Sequence, residues 1–334
     1  MLREPDKMSF RESISREHRW GAILAGGDGT RLLSLTRRIT GDDRPKQFCS
    51  VTGNETLLHQ TQRRISGLVP KRRTLLILTR AHEAFYADQV DGIRPSEILV
   101  QPRNRGTAPA IIYSLLHLRE MDQEAIVAFF PSDHHFSDDE AFLGHMESAY
   151  AAAASRPEQV ILLGIPPDSP EVEYGWIEPG DALDGAVPSP VSPVSRFWEK
   201  PPRKLASDLM ARGCLWNSFI MVGSVNAFLN PIRHTLPGLL DAFESVGTPF
   251  STESAETGLS DRYSSIRPTS FSQHVMSARP RDLAVLCARG LGWSDLGEPG
   301  RVLTVLERKG VETEWGFKPG SRHGLDTVRT AGAA

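Results

Sequence analysis

Short apolar runs that alternate with stretches of helical spacing limit this chain to one kind of architecture. Residues 20–23, 74–79, 98–100, 125–130 and 159–164 read as buried strands, too short and too continuous in apolar character for amphipathic helices. Between them, residues 55–68 carry Leu57, Leu58, Thr61 and Ile65 on one stripe and stop before Pro70, while residues 81–90 and 138–154 are also expected to be helical. Such alternation specifies an α/β fold with a mostly parallel, mixed sheet flanked by helices. At 334 residues, one large domain with at most a small appendage is the expectation.

The first strand opens into Leu24-Ala25-Gly26-Gly27-Asp28-Gly29-Thr30-Arg31. Closely spaced glycines let backbone N–H groups approach an anion, because no Cβ obstructs them and a positive φ is cheap. The pattern has neither the Lys-Ser/Thr ending of a P-loop nor the G-x-G-x-x-G spacing of a dinucleotide fold, and it places Arg31 where a phosphate would need a cation. The same residues would also serve as a plain strand-to-helix turn with an exposed Arg. Residues 32–40 can be helical, and after the polar turn Gly41-Asp42-Asp43 comes Arg44-Pro45-Lys46-Gln47-Phe48, where Pro45 restricts the directions in which Lys46 can point.

Two further loops leave the carboxyl edge of the sheet, where open α/β sheets bind ligands. The strand at 98–100 runs into a loop with Arg103 and Arg105, where Thr107 is the expected N-cap and Pro109 suits the first turn of a helix faced by Ile111, Ile112, Leu115, Leu116 and Leu118. That geometry offers free backbone donors and two arginines. The strand at 125–130 ends in Pro131-Ser132-Asp133-His134-His135, and a carboxylate at the tip of a buried strand needs a cation or a metal, which makes Asp133 a candidate magnesium ligand. Adjacent histidines on an extended segment point to opposite sides, which argues against zinc or iron.

The second half changes character. Residues 174–180 and 194–202 read as a hairpin joined by a proline-rich link at 181–193. It carries Gly175, which permits close approach of a ligand, and Glu199 next to Lys200, whose partners are solvent on one reading and a sugar hydroxyl and a phosphate on the other. Residues 204–212 are expected to be helical. A strand at 215–223 holds the polar pair Asn217-Ser218, and amide side chains read hydroxyl patterns well. Residues 225–243 are expected to be helical with breaks at Pro231 and Pro237, whereas the polar stretch 245–268 suggests no element. A last strand at 283–287 precedes Gly292-Trp293-Ser294-Asp295-Leu296-Gly297, so Asp295 mirrors Asp133, and two such carboxylates can hold one magnesium. The tail from Gly310 shows no element.

With 40% apolar residues, 24% charged residues and a formal net charge of −3, the chain lacks the field that would argue for nucleic acid or an anionic membrane. Its three cysteines, Cys49, Cys214 and Cys287, are far apart, which suggests neither a disulfide framework nor a zinc site. Residues 1–18 form a charged arm without the apolar stretch of a signal peptide, and no run is long enough to span a bilayer, so a cytoplasmic location is expected.

Taken together, the motifs resemble those of the sugar-1-phosphate nucleotidyltransferases, and among them most those of the mannose-1-phosphate guanylyltransferases. The resemblance runs from about Trp20 to Gly297 and rests on the glycine loop, Pro45-Lys46-Gln47-Phe48, Leu57 to Thr61, Arg105-Gly106-Thr107-Ala108-Pro109-Ala110, Pro131 to His134, Tyr174-Gly175, Phe197-Trp198-Glu199-Lys200-Pro201, Trp216-Asn217-Ser218 and Gly292 to Gly297. It implies a Rossmann-like, GT-A-like sheet of the nucleotide-diphospho-sugar transferase type, with a catalytic unit at 19–300, a nucleotide-binding part at about 19–165, a sugar-binding part with a β-hairpin lobe at about 166–300, and a short extension at 301–334. It further implies that Leu24, Ala25, Gly26, Gly27, Gly29 and Thr30 hold a nucleoside triphosphate, most readily GTP. Arg31 and Lys46 would be the catalytic cations on its phosphates, and Arg105, Thr107, Ala108 and Pro109 would lie near the base. Asp133 and Asp295 would hold Mg2+. Gly175, Glu199 and Asn217 would read the sugar while Lys200 grips the phosphate of a sugar 1-phosphate, most readily mannose 1-phosphate. The chain departs from the family pattern at Gly106, where an Asn is usual, and at Phe219, where a glycine often follows Ser218. Another base or sugar, or a non-catalytic nucleotide-sugar-binding regulator, is the alternative, and the assembly is left open, a homodimer included.

Overall fold

The structure, a computed structural model, describes residues 16–181, 191–245, 253–310, 312, 313 and 315. The strands are β1 (Arg19–Leu24), β2 (Thr74–Thr79), β3 (Ile98–Gln101), β4 (Ile126–Pro131), β5 (Val160–Ile165), β6 (Gly175–Pro179), β7 (Val191–Glu199), β8 (Leu215–Ser224) and β9 (Leu283–Cys287). They form one sheet in the order β3-β2-β1-β4-β8-β5-β9-β7-β6, in which β6 also returns to pair with β8. The pairs β1–β2, β1–β4, β2–β3 and β5–β9 are parallel, and β8 runs against both β4 and β5. The carboxyl ends of β1, β4 and β9 therefore point the same way, and the loops that follow them share one edge.

Alternating side chains divide the core between the two faces of the sheet. Trp20, Ala22, Val127 and Phe129 pack on one side with the apolar stripes of α4 (Thr107–Met121), α7 (Val225–Thr235), α8 (Pro237–Glu244) and α9 (Glu253–Ser265). Ile23, Ala128 and Phe130 pack on the other with α2 (Leu57–Ile65), α5 (Asp139–Ser155) and α6 (Arg203–Ala211). A small third cluster joins α1 (Leu33–Thr40) to α10 (Pro299–Lys309) through Leu32, Leu35, Leu296, Val302 and Leu306. It thereby ties the segment after the glycine loop to the segment after Asp295.

Several elements differ from the sequence reading for identifiable reasons. Residues 81–90 form only a one-turn helix, α3 (Glu83–Tyr86), between two 3-10 turns, Arg80–His82 and Ala87–Gln89. Pro231 sits inside α7 without ending it, and the break comes at Leu236, before Pro237 starts α8. The polar stretch after Ser245 contains α9, which buries Leu259 and Tyr263, the latter edge-on to Phe243 of α8, although its sequence carries little apolar periodicity. The hairpin of β6 and β7 is present, but most of its link, residues 182–190, lies outside the described residues, as do most of the N-terminal arm, residues 246–252 and most of the tail beyond Gly310. No helix among the described residues is long and apolar enough to cross a membrane. The three cysteines are free thiols.

Burial pushes the imidazoles of His82 and His117 below their ordinary value of 6.5. As pH falls below that value the unfolded chain binds protons that the folded chain refuses, so this stability is fully present above about pH 6.5 and declines toward acid. The Tm is expected to be lower at about pH 5.5 than at about pH 7.5, and His117→Gln should recover part of the difference in a thermal melt at the two values.

Candidate active site

The glycine loop is shaped by side chains from neighbouring segments. The Gln47 amide donates to the carbonyls of Ala25 (3.0 Å) and Gly27 (2.7 Å), and Thr79 Oγ1 donates to that of Gly26 (3.0 Å). With the carbonyls turned inward, the amides of Gly26, Gly27, Asp28 and Gly29 have no acceptor among the described residues. A Cβ on Gly26 would lie 2.7 Å from both Gln101 Nε2 and Thr79 Oγ1, so only glycine fits there. Asp28 is held aside by Asn104 (2.9 Å) and His82 (3.2 Å). The loop thus presents donors to an anion, the arrangement of a phosphate-binding nest.

Lys46 follows Pro45 into a 3-10 turn and is buried. Its ammonium donates to the carbonyls of Asp295 (2.5 Å) and Leu296 (3.2 Å) and pairs with Asp133 Oδ2 at 3.2 Å. Asp133 at the tip of β4 and Asp295 after β9 are brought together by a short antiparallel bridge, in which His135 and Ser294 exchange N–H···O bonds of 2.8 and 3.0 Å. Arg31, Lys46, Asp133, His134 and Asp295 line one cavity of about 240 Å³, together with Gly29, Thr30, Leu32 and Gly297.

Asp295 is the most strongly held group in that cavity. Its Oδ1 accepts from the Gly297 amide (2.8 Å), the Tyr174 hydroxyl (2.9 Å) and Arg301 Nη1 (2.6 Å), while Oδ2 faces Arg31 Nη2 at 3.6 Å. Burial opposes its charge, but Arg301 and Lys46 outweigh that cost and hold its pKa at about 2. Arg301 also donates to the Tyr174 hydroxyl (2.7 Å) and to Glu171 (2.6 Å), with its guanidinium over the Tyr174 ring. Neither Arg301 nor Tyr174 announces this role in the sequence, since both act through partners more than a hundred residues away or around a turn.

His134 is buried, its pKa pushed down to about 4 by desolvation, and its Nδ1 accepts from the Trp293 indole at 3.2 Å. It is therefore neutral, with its proton on Nε2 toward Asp133 Oδ1 at 3.8 Å. His135 Nε2 meets Ser137 Oγ at 3.3 Å. Both imidazoles have hydrogen-bonding roles, and no group of three or more His, Cys, Asp or Glu side chains suited to a metal occurs among the described residues.

Lys200 does not line the cavity but connects to it. Glu173 Oε2 lies 3.4 Å from Lys200 Nζ and 3.6 Å from Arg31 Nη1, so a single anionic oxygen spans the two cations. Gly175 pairs in register with Glu199, whose carboxylate sits against it and whose pKa is raised by burial. Asn217 lies on β8, buried, with Oδ1 accepting from the Phe219 amide at 3.1 Å. These three residues share the β7-β6-β8 edge beside Tyr174, outside the cavity itself.

The loop at 101–110 requires a correction. Gly106, at φ +86°, caps α4, while Thr107 is its first residue and accepts from the Phe271 amide at 2.8 Å. The Ala108 amide donates to Thr269 (3.1 Å), and Arg105 Nε donates to the Tyr263 carbonyl (2.9 Å). Ala108 and Pro109 are buried, and none of Arg105, Thr107, Ala108 and Pro109 lines the cavity. Of the donors expected to be free here, the Ala108 amide and the Arg105 Nε–H are taken up by residues 263–271, while Arg103 is exposed. Gly106 has no room for a side chain, because its Cβ would lie 2.5 Å from the Thr269 carbonyl.

Among the described residues, only Lys200, Phe219 and Leu296 adopt a positive φ without being glycine, at 46°, 60° and 47°. All three border the region above, where backbone strain often concentrates. Phe219 keeps the left-handed turn at the position where the resembling family often has glycine. Ordinarily alanine is the more stable substitute, yet at this φ glycine should win: Phe219→Gly is expected to exceed Phe219→Ala by about 0.5–1 kcal/mol in urea denaturation.

Comparison with known proteins agrees with this geometry. The xanthan biosynthesis protein XanB of Xanthomonas campestris pv. campestris (strain ATCC 33913) is 30% identical over 291 residues, covering 86% of this chain and 59% of XanB. Mannose-1-phosphate guanylyltransferase 2 of Escherichia coli O157:H7 is 30% identical over 284 residues, covering 82% of this chain and 57% of that protein. The chain thus spans a little over half the length of these relatives. A crystal structure from Thermus thermophilus, described as a mannose-1-phosphate geranyltransferase, superposes with a TM-score of 0.73 at 30% identity, covering 86% of this chain and 79% of the other. Residues 20–308 match the family model for nucleotidyl transferases, a span that contains the glycine loop, Lys46, both aspartates and Arg301, and the chain accordingly belongs to the nucleotidyl transferase family.

Proposed function

We propose that this protein transfers a nucleotidyl group from a nucleoside triphosphate to a sugar 1-phosphate, with GTP and mannose 1-phosphate as its substrates. The observation that carries this reading is the convergence of Arg31, Lys46, Asp133 and Asp295 on a single cavity beside a glycine loop with unpaired amides. The choice of GTP and mannose 1-phosphate rests on the relatives named above.

In the proposed reaction an oxygen of the sugar phosphate attacks the α-phosphorus in line. The bond from that phosphorus to the bridging oxygen breaks, and pyrophosphate leaves with the electron pair. The attacking phosphate is already anionic at neutral pH, so no general base is needed, and the protein supplies positioning and positive charge. The amides at 26–29 and Arg31 would hold the triphosphate, and Lys46 would face the charge that builds up on it. Lys200 would hold the sugar phosphate. Because Lys200 and Arg31 both lie within 3.6 Å of one Glu173 oxygen, the two phosphates they would bind can meet.

The donor set also suits magnesium. Asp133 and Asp295 are two hard carboxylates on one cavity, their Oδ2 atoms facing Lys46 and Arg31 respectively, and Mg2+ is commonly held by one or two carboxylates plus substrate phosphates. When bound, Mg2+ would neutralise phosphate charge and polarise the phosphoryl oxygens.

The test is pyrophosphate release from GTP, UTP or dTTP paired with mannose 1-phosphate or glucose 1-phosphate, with Mg2+ or with a chelator. Release is expected to be fastest with GTP and mannose 1-phosphate and to require Mg2+. A different preferred pair would keep the reaction class and change the substrates. Release from no pair would favour a nucleotide-sugar-binding regulator.

A further inference from the structure

Two of the three donors that fix Asp295, Tyr174 and Arg301, come from outside the residues that line the cavity. We propose that Arg301, together with Tyr174, is a positioning residue for the Asp295 carboxylate, holding Oδ1 so that Oδ2 alone is offered to a divalent cation. This inference rests on the functional reading above.

Oδ1 takes three donors: Arg301 Nη1 at 2.6 Å, the Gly297 amide at 2.8 Å and the Tyr174 hydroxyl at 2.9 Å. Arg301 is itself fixed from three sides. Nη1 also reaches the Tyr174 hydroxyl at 2.7 Å, Nη2 reaches Glu171 at 2.6 Å, and the Cζ atom lies 4.6 Å from the Tyr174 ring centroid. Its helix, α10, is anchored through Val302, Leu303 and Leu306 to the cluster that holds Leu32 and Leu35, which follow Arg31. One helix therefore sets the carboxylate and supports the segment bearing the facing cation. Only a planar fork can serve the carboxylate, the hydroxyl and Glu171 together, which a lysine ammonium cannot do in the same place.

The guanidinium has a second consequence. Its charge partly neutralises Asp295, so the carboxylate attracts a free cation less than it otherwise would. Orientation and attraction thus oppose each other, and replacing Arg301 should move them in opposite directions.

The experiment uses the full chain and three variants, with Mn2+ as the probe. Its binding is read by the electron paramagnetic resonance signal of the free ion without nucleotide, alongside steady-state kinetics. Arg301→Met is expected to bind Mn2+ about threefold or more tighter, because a cation beside the carboxylate is gone. Its kcat should fall about 100-fold, the usual cost of a small misplacement, with each KM within about threefold. Arg301→Lys keeps the charge and loses the fork, so Mn2+ affinity should match the wild type while kcat falls. Tyr174→Phe removes one oxygen and should behave likewise, with about a tenfold loss in kcat. Arg301→Met that weakens Mn2+ binding, or Tyr174→Phe and Arg301→Lys with wild-type kcat, would overturn the proposal. If Arg301→Met does not fold, the two milder variants decide it. If the wild type releases no pyrophosphate from any substrate pair, the functional reading fails instead. The Mn2+ titrations, which need no turnover, would then decide the inference, and unchanged affinity in Arg301→Met would overturn it.

Discussion

Asp295→Asn is expected to remove the response to Mg2+ and to destabilise the fold by about 3 kcal/mol, the cost of leaving a mostly buried guanidinium without one of its two nearest anions. The side chains of Asp295 and Arg301 are 10% and 16% exposed, so solvent cannot replace the lost charge well. Glu171 stays at 2.6 Å from Arg301 and should keep the loss below that of a wholly unpaired charge. Urea denaturation gives the stability, and pyrophosphate release against Mg2+ concentration gives the activity. A variant with normal stability and a normal metal response would show that Asp133 suffices alone.

Lys46→Ala is expected to lower kcat by about 100- to 1000-fold, the range seen when one donor to developing negative charge is removed. It should also destabilise by about 1–3 kcal/mol, because the carbonyls of Asp295 and Leu296 and the carboxylate of Asp133 lose a buried donor. The two effects are separable. Glycerol or another stabilising co-solvent would restore the fold without restoring turnover. Unchanged turnover in folded protein would remove Lys46 from the reaction and leave it as a strut between β4 and the Asp295 turn.

The strands and the loops they deliver were legible because apolar continuity and glycine or proline punctuation are local signals. Arg31, Asp133 and Asp295 could be singled out for the same reason, each standing beyond the end of an apolar run, and Lys46 because Pro45 precedes it. What escaped the sequence depends on contacts made across the sheet. Gln47 and Thr79 shape the glycine loop from two different segments, and Glu173 reaches Arg31 and Tyr174 reaches Arg301 only because α10 and the segment leading into β6 pack beside the cavity. The helix α9 was hidden because its burial rests on a few residues such as Leu259 and Tyr263 in a polar stretch. Thr107 misled for the opposite reason: a good local N-cap was overridden by the Thr269 backbone lying against Gly106. The Tyr263 carbonyl likewise takes the Arg105 Nε–H, so the part of the site that would select the base is the part least apparent from sequence.

The cavity and the adjoining edge that carries Lys200 are proposed to receive a triphosphate and a phosphorylated sugar side by side. A crystal of the protein soaked with GTP, Mg2+ and mannose 1-phosphate tests it most directly. Triphosphate is expected against the amides at 26–29 and Arg31, the metal between Asp133 and Asp295, and the sugar phosphate at Lys200 with Glu173 displaced. Nucleotide bound elsewhere, with Arg31 and Lys200 still joined through Glu173, would contradict it.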